Sequence, residues 1–168
     1  MTFDVKQAII DRLRATKREN IDSVVDYMEN NGFFARQCHS HHHYYGGLAD
    51  HAWQTYQVAM RLNAERCASN PHAPILDEDS IAICALLHDL CDCFGLRDIS
   101  GHGRRSARIL KTLGFKLTLE EFLAIRFHMR SHRSKGHFLY NDALNSPLAL
   151  LVYNSDRKSA SLKRGSEI

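Results

Sequence analysis

Apolar residues return every three or four positions along almost the whole chain, which is the repeat of one helical face. Val5, Ile9, Ile10 and Leu13 predict a first helix. Ile21, Val24, Val25 and Met28 predict a second, stopped at Asn30-Asn31-Gly32. Residues 33–46 read as a connector rich in histidine and aromatic residues. Gly46-Gly47 then allows a tight entry into a long helix over about 47–69, closed by Pro71 and Pro74. Asp77 is placed to cap the next helix, with Glu78 and Asp79 at its positive end. That helix is expected to carry through Ser80–Cys93. After a loop at 95–101, Ser100 caps a helix that starts at His102 and stops at Leu113-Gly114-Phe115. Thr118-Leu119-Glu120-Glu121 has the form of a capping box, ahead of a helix to about Met129. Residues 131–145 read as loop. Ser146-Pro147 opens the last helix with proline at its first position, and the apolar run ends in Asn154-Ser155-Asp156-Arg157-Lys158. No stretch alternates with period two. The expectation is an all-α fold of about seven helices in one domain, residues 1–168. Leu86, Leu87, Ile125 and Leu150 fall in its core, and the tail after Leu162 is disordered.

Composition narrows the class. The chain has 168 residues, 44% hydrophobic and 24% charged, which suits one globular domain. A net charge of +3 is mildly basic; it accommodates an anionic substrate without demanding nucleic acid. The five cysteines, Cys38, Cys67, Cys84, Cys91 and Cys93, form no CxxC pair. Small buried thiols in a reducing cytoplasm are expected, with Cys84 and Cys91 on one apolar face. Thr2 to Lys6 is polar, so no signal peptide is expected, and no apolar run approaches a membrane span.

The chemistry concentrates on one pair. His88 and Asp89 stand next to each other in an apolar run, where burying them is costly unless something binds them. A divalent ion does so, because imidazole nitrogen and carboxylate oxygen suit borderline and hard cations. His51, His102, His128 and Asp156 are spaced widely enough around the pair to come from different helices. The plain alternative for each is an isolated polar residue on a helix.

The wording around these residues resembles the HD-domain superfamily of metal-dependent phosphohydrolases. The matching stretches are His41-His42-His43-Tyr44-Tyr45-Gly46-Gly47-Leu48-Ala49-Asp50-His51, Leu86-Leu87-His88-Asp89-Leu90, Gly101-His102-Gly103-Arg104-Arg105-Ser106, Ala124-Ile125-Arg126-Phe127-His128-Met129 and Asn154-Ser155-Asp156, in the family's order. They span about residues 38–161. The resemblance implies a single HD-domain helical bundle with His51, His88, Asp89 and Asp156 around a core metal. It implies that His102 and His128 hold a second ion, with Asp89 bridging. One or two ions of Mn, Fe, Ni, Co, Mg or Zn would serve. Of the pair His41 and His42, one stands to protonate a leaving group from the rim of the site, and His42 is the chosen candidate. Asp92 stands where many relatives carry lysine, so it would act as a base or an outer acceptor rather than bind phosphate. Tyr153 is a second departure, where relatives often carry histidine. Arg104, Arg105, Arg130 and Lys158, with Arg126, are the candidates for phosphate.

The remaining histidines carry less. His39 belongs to the histidine tract, His43 reads as an ordinary loop residue, and His72 and His137 have no supporting context. His132 follows His128 by four. The expected activity is hydrolysis of a nucleotide or other small phosphate ester, with a homodimer left open, no membrane partner, and nucleic acid disfavoured but left open. The competing readings are a non-catalytic nucleotide-binding regulatory module, an RNA phosphodiesterase and a two-iron oxygenase.

Overall fold

The computed structural model describes residues 4–38, 41–94, 101–130 and 135–164. Among them it has eight α-helices, one 3-10 helix and no strand. α1 is Val5–Ala15, α2 Ile21–Asn30, α3 Gly47–Ser69, α4 Glu78–Leu87, α5 His102–Thr112, α6 Leu119–Phe127, α7 Tyr140–Asn145 and α8 Pro147–Ser159. The 3-10 helix, Leu90–Phe94, follows α4. No helix among the described residues is long and apolar enough to cross a membrane.

The starts of the helices follow local chemistry. Asp4, Asp77 and Ser146 each cap a helix by accepting a backbone N–H from the first turn. Thr118 and Glu121 close a reciprocal capping box on α6. α4 runs through the middle of the bundle. Its residues Ile81 to Leu87 are all buried, and the helix is apolar on every side because α3, α6, α8 and α1 surround it. α3 lies mainly along α8 and α4, and α6 fills the space between α8 and α5.

Several expectations change. The helix carrying the His-Asp pair stops at Leu87, not at Cys93. The reason is local: the His88 ring bonds the Ala85 carbonyl through Nδ1 at 2.9 Å, and the Cys91 N–H donates to Ser106 Oγ at 3.1 Å instead of continuing the ladder. Residues 140–145 form α7 rather than loop; Tyr140 and Ala143 pack against Leu123 and Phe127, a pairing too short to show as periodicity. Leu150 is 43% exposed; the core face of α8 is Leu148, Ala149, Leu151 and Val152. Lys163 and Arg164 are not loose: the Lys163 carbonyl accepts from Gln54, and Arg164 lies 3.7 Å from Asp50 and over the Tyr44 ring. Gly101, in the left-handed region at φ 85°, precedes α5. Ser100, His39, His132 and residues 165–168 lie outside the described residues.

Candidate metal centre

Five helices bring one polar residue or more each to a single buried point. His51 is in the second turn of α3, and Asp156 is near the end of α8. His102 is the first residue of α5. His88 and His128 cap the C-terminal ends of α4 and α6. The two caps share one device: each ring bonds, through Nδ1, the carbonyl three residues back, Ala85 for His88 and Ile125 for His128. Asp89 follows His88 in the turn before the 3-10 helix. All six residues are buried.

Two glycines make the approach tight enough. A side chain on Gly103 would occupy the place of the Ile125 and Arg126 carbonyl oxygens, so α5 can start against the end of α6 only with glycine there. A side chain on Gly47 would collide with the His42 carbonyl, which fixes the histidine connector over the start of α3.

The Asp89 carboxylate divides the site. Its Oδ2 lies 3.4 Å from His88 Nε2 and 3.8 Å from His51 Nε2. Asp156 Oδ1 lies 3.2 Å from His51 Nε2 and 3.6 Å from His88 Nε2, and the two Nε2 atoms are 3.2 Å apart. The other oxygen, Asp89 Oδ1, lies 3.3 Å from His128 Nε2 and 3.6 Å from His102 Nδ1. Asp92 Oδ1 is 3.2 Å from His102 Nδ1. The first group is four donors around one point, and the second is three or four around another.

The donor set fits a metal. The Nδ1 of His88 and of His128 is committed to a backbone carbonyl, and that of His51 faces Ser159 Oγ at 3.3 Å. In neutral rings the inward Nε2 atoms are therefore lone pairs. His128 Nε2 and Asp89 Oδ1, both without a hydrogen-bond partner, then point lone pairs at each other. Such an arrangement calls for a cation between the two atoms or an added proton on the ring. Donors about 2.1 Å from one ion stand about 3.0–3.4 Å apart along the edges of an octahedron or tetrahedron, close to the separations seen here. Ser159 is itself held by Thr55 Oγ1 at 2.7 Å, so His51 has a buried outer layer behind it. His102 Nε2 is also buried and has no hydrogen-bond partner.

Without an ion, charge is balanced by protons. Burial works against a positive His88, but Asp89 and Asp156 outweigh it and push the ring up to about 9. Burial would raise the carboxyls of Asp89 and Asp156 too, yet the surrounding histidines hold both well below the usual range. Asp92 goes the other way: burial, then the charge of Asp89, raises it to about 6. Cys91 lies beside it, Sγ 3.6 Å from Asp92 Oδ1, and burial pushes the thiol up to about 12.

The remaining candidates are spread around this centre. His42 is buried behind His41, with Nε2 on Gln54 and Nδ1 on His41, so both of its nitrogens are engaged. His41 is the ring nearer the centre, 4.3 Å from His51 between centroids. Arg105 is half-buried, and its charge bears on His102 and Cys91. Arg130, half-buried at φ 43°, stacks on Tyr153 at 4.1 Å. Arg104 and Lys158 are exposed, and Arg126 stacks on Phe127. His43 is exposed, and His137 stacks on Phe138. Sequence reasoning passed over Gln54, Thr55 and Ser159. Their signal was small polar residues three or four positions from a ligand on an inward face. A cavity of about 570 Å³ between α5 and α6, lined by Ala107, Phe115, Leu117 and Phe122 among others, contains none of these residues.

A helical bundle that closes histidines and carboxylates around one buried point is compatible with a bound divalent ion. The HD domain family model matches residues 48–161, most of the chain, and the chain belongs to that superfamily of metal-dependent phosphohydrolases. No curated protein and no solved structure matches it.

Proposed function

We propose that the protein hydrolyses a nucleotide or another small phosphate ester at a centre of one or two divalent ions. The observation that supports this best is the carboxylate of Asp89, whose two oxygens face two different pairs of histidines. His51, His88, Asp89 and Asp156 would hold the first ion, and Asp89, His102 and His128 the second. Bound there, a divalent ion lowers the pKa of water and offsets charge on the phosphate.

The chain's own groups do the rest. The Nδ1 bonds to Ala85, Ile125 and Ser159 keep the inward nitrogens bare and aimed. Asp92, beside His102, is placed to accept the proton lost by the attacking water. As the water oxygen bonds phosphorus, the ester P–O bond breaks and the leaving oxygen takes up a proton from solvent or the rim. Arg105 and Arg130 are half-buried candidates for the phosphate, and Arg104 and Lys158 are exposed enough to meet it from outside.

Elemental analysis of tag-free protein, followed by a phosphatase and phosphodiesterase screen with Mn, Ni, Co and Mg, tests this reading. Stoichiometric metal and turnover of at least one small phosphate ester are expected. Oxygen uptake by an iron-loaded protein that leaves every phosphate ester intact would overturn it.

A further inference from the structure

Gln54 is buried on α3, one turn after His51. Its amide has two neighbours. The nitrogen is 2.9 Å from the carbonyl oxygen of Lys163, and the oxygen is 2.8 Å from His42 Nε2. A backbone carbonyl only accepts hydrogen bonds, so the amide nitrogen must face Lys163 and the oxygen must face His42. His42 Nε2 is then the nitrogen that carries hydrogen. In a neutral ring its Nδ1 is bare, and that atom lies 3.0 Å from His41 Nδ1. His41 Nδ1 must therefore donate, which leaves His41 Nε2 bare. Three bonds in series thus admit one placement of two hydrogens.

We propose that Gln54, oriented by the Lys163 carbonyl, is a positioning residue that fixes the proton positions of His42 and His41, so that His41 meets the metal centre as a hydrogen-bond acceptor. The backbone supports the placement: His42 is held at φ 49°, and Gly47 leaves room for its carbonyl. A bare imidazole nitrogen accepts from a hydroxyl or a water and repels an ionised phosphate oxygen. The matching ligand is a phosphate ester that brings a hydroxyl to this side of the site. That consequence rests on the proposed phosphohydrolase reading; the proton positions do not.

The test uses the intact protein with 15N-labelled histidine. Two-bond 1H–15N correlation spectra show which ring nitrogen carries hydrogen, and His41→Asn and His42→Asn assign the signals. Wild type should show hydrogen on His42 Nε2 and His41 Nδ1. Gln54→Leu should turn His41 into a mixture of both forms. Gln54→Glu, which still accepts from His42, should keep the wild-type pattern. Hydrogen on His41 Nε2 in the wild type, or an unchanged pattern in a folded Gln54→Leu protein, would overturn the proposal. If Gln54→Leu does not fold, the Glu variant decides: a hydrogen moved to His42 Nδ1 sinks the idea. On any accepted phosphate ester, Gln54→Leu should lower kcat about tenfold or more at equal metal content. Absence of wild-type turnover on every ester would count against the phosphohydrolase reading and leave the spectra to decide this one.

Discussion

Asp89 carries two tasks with one side chain, since each of its oxygens serves a separate pair of histidines. Asp89→Asn keeps size and removes charge. We expect it to weaken metal binding and abolish hydrolysis while far-UV circular dichroism stays that of the wild type, because the core around α4 is untouched. Wild-type turnover at equal metal loading would exclude the mechanism drawn above. Asp92→Asn should be milder for metal binding, since Asp92 borders the second group of donors only, and should slow turnover about a hundredfold or more by removing the proton acceptor. Wild-type turnover in that variant would remove Asp92 from the mechanism. The six histidines and aspartates were legible because each sits in a recognisable word of sequence. Which atoms they turn inward was not. That depends on Ala85, Ile125 and Ser159, whose contribution is a carbonyl or a hydroxyl that the rest of the fold delivers.

At the level of helices, caps and periodicity were readable and interruptions were not. Asp77, the Thr118 box and Ser146-Pro147 all act where local chemistry placed them. The stop at Leu87 was hidden, because the apolar run continues past it and a distant serine takes the next backbone donor. Glu121 shows the same limit. It reads as a cap, yet it also binds Arg18 at 2.8 Å and Ser80 at 2.8 Å from a fully buried position. Burial would raise its pKa, but Arg18, Thr118 and Ser80 outweigh that and lower it. A carboxyl lowered by folding adds stability above its unfolded pKa, and that contribution fades as pH falls through the folded value. Arg18→Ala should cost about 3 kcal/mol near pH 7 and move the acid loss of stability to higher pH. Urea unfolding from pH 3 to 7 checks both, and an unmoved acid limb would refute the assignment.

Helix contact also sets the second group of donors. Gly103→Ala would push the first turn of α5 off the carbonyls at the end of α6 and draw His102 away from His128. At a two-ion centre, binding stoichiometry for Mn measured by calorimetry should fall from two ions to one, with His51, His88 and Asp156 still able to hold theirs. Two ions bound with unchanged affinity would show that α5 tolerates the shift.

Seen across the whole molecule, the centre draws ligands from α3, α4, α5, α6 and α8 together. Any ion held there links helices that otherwise meet through apolar side chains and a few hydrogen bonds, Thr55 to Ser159 and Ser80 to Glu121 among them. Metal present at a hundred times its dissociation constant adds about 2.7 kcal/mol of stability. For a chain of this size, chelation should therefore lower Tm by about 5–10 °C. An identical Tm with and without chelator would mean that the ion does not bind the folded bundle.

The outer layer of the centre joins His51 to Ser159, 108 positions later in the chain. A ribosome makes the first of these residues long before the last. Until α8 has left the exit tunnel and docked on α3, His51 faces no Ser159 and no Asp156, and the cavity has neither its second carboxylate nor its sealed wall. Before α8 docks, a nascent chain offers an ion His51, His88 and Asp89 but not Asp156, so this point should bind metal more weakly than it does in the finished bundle.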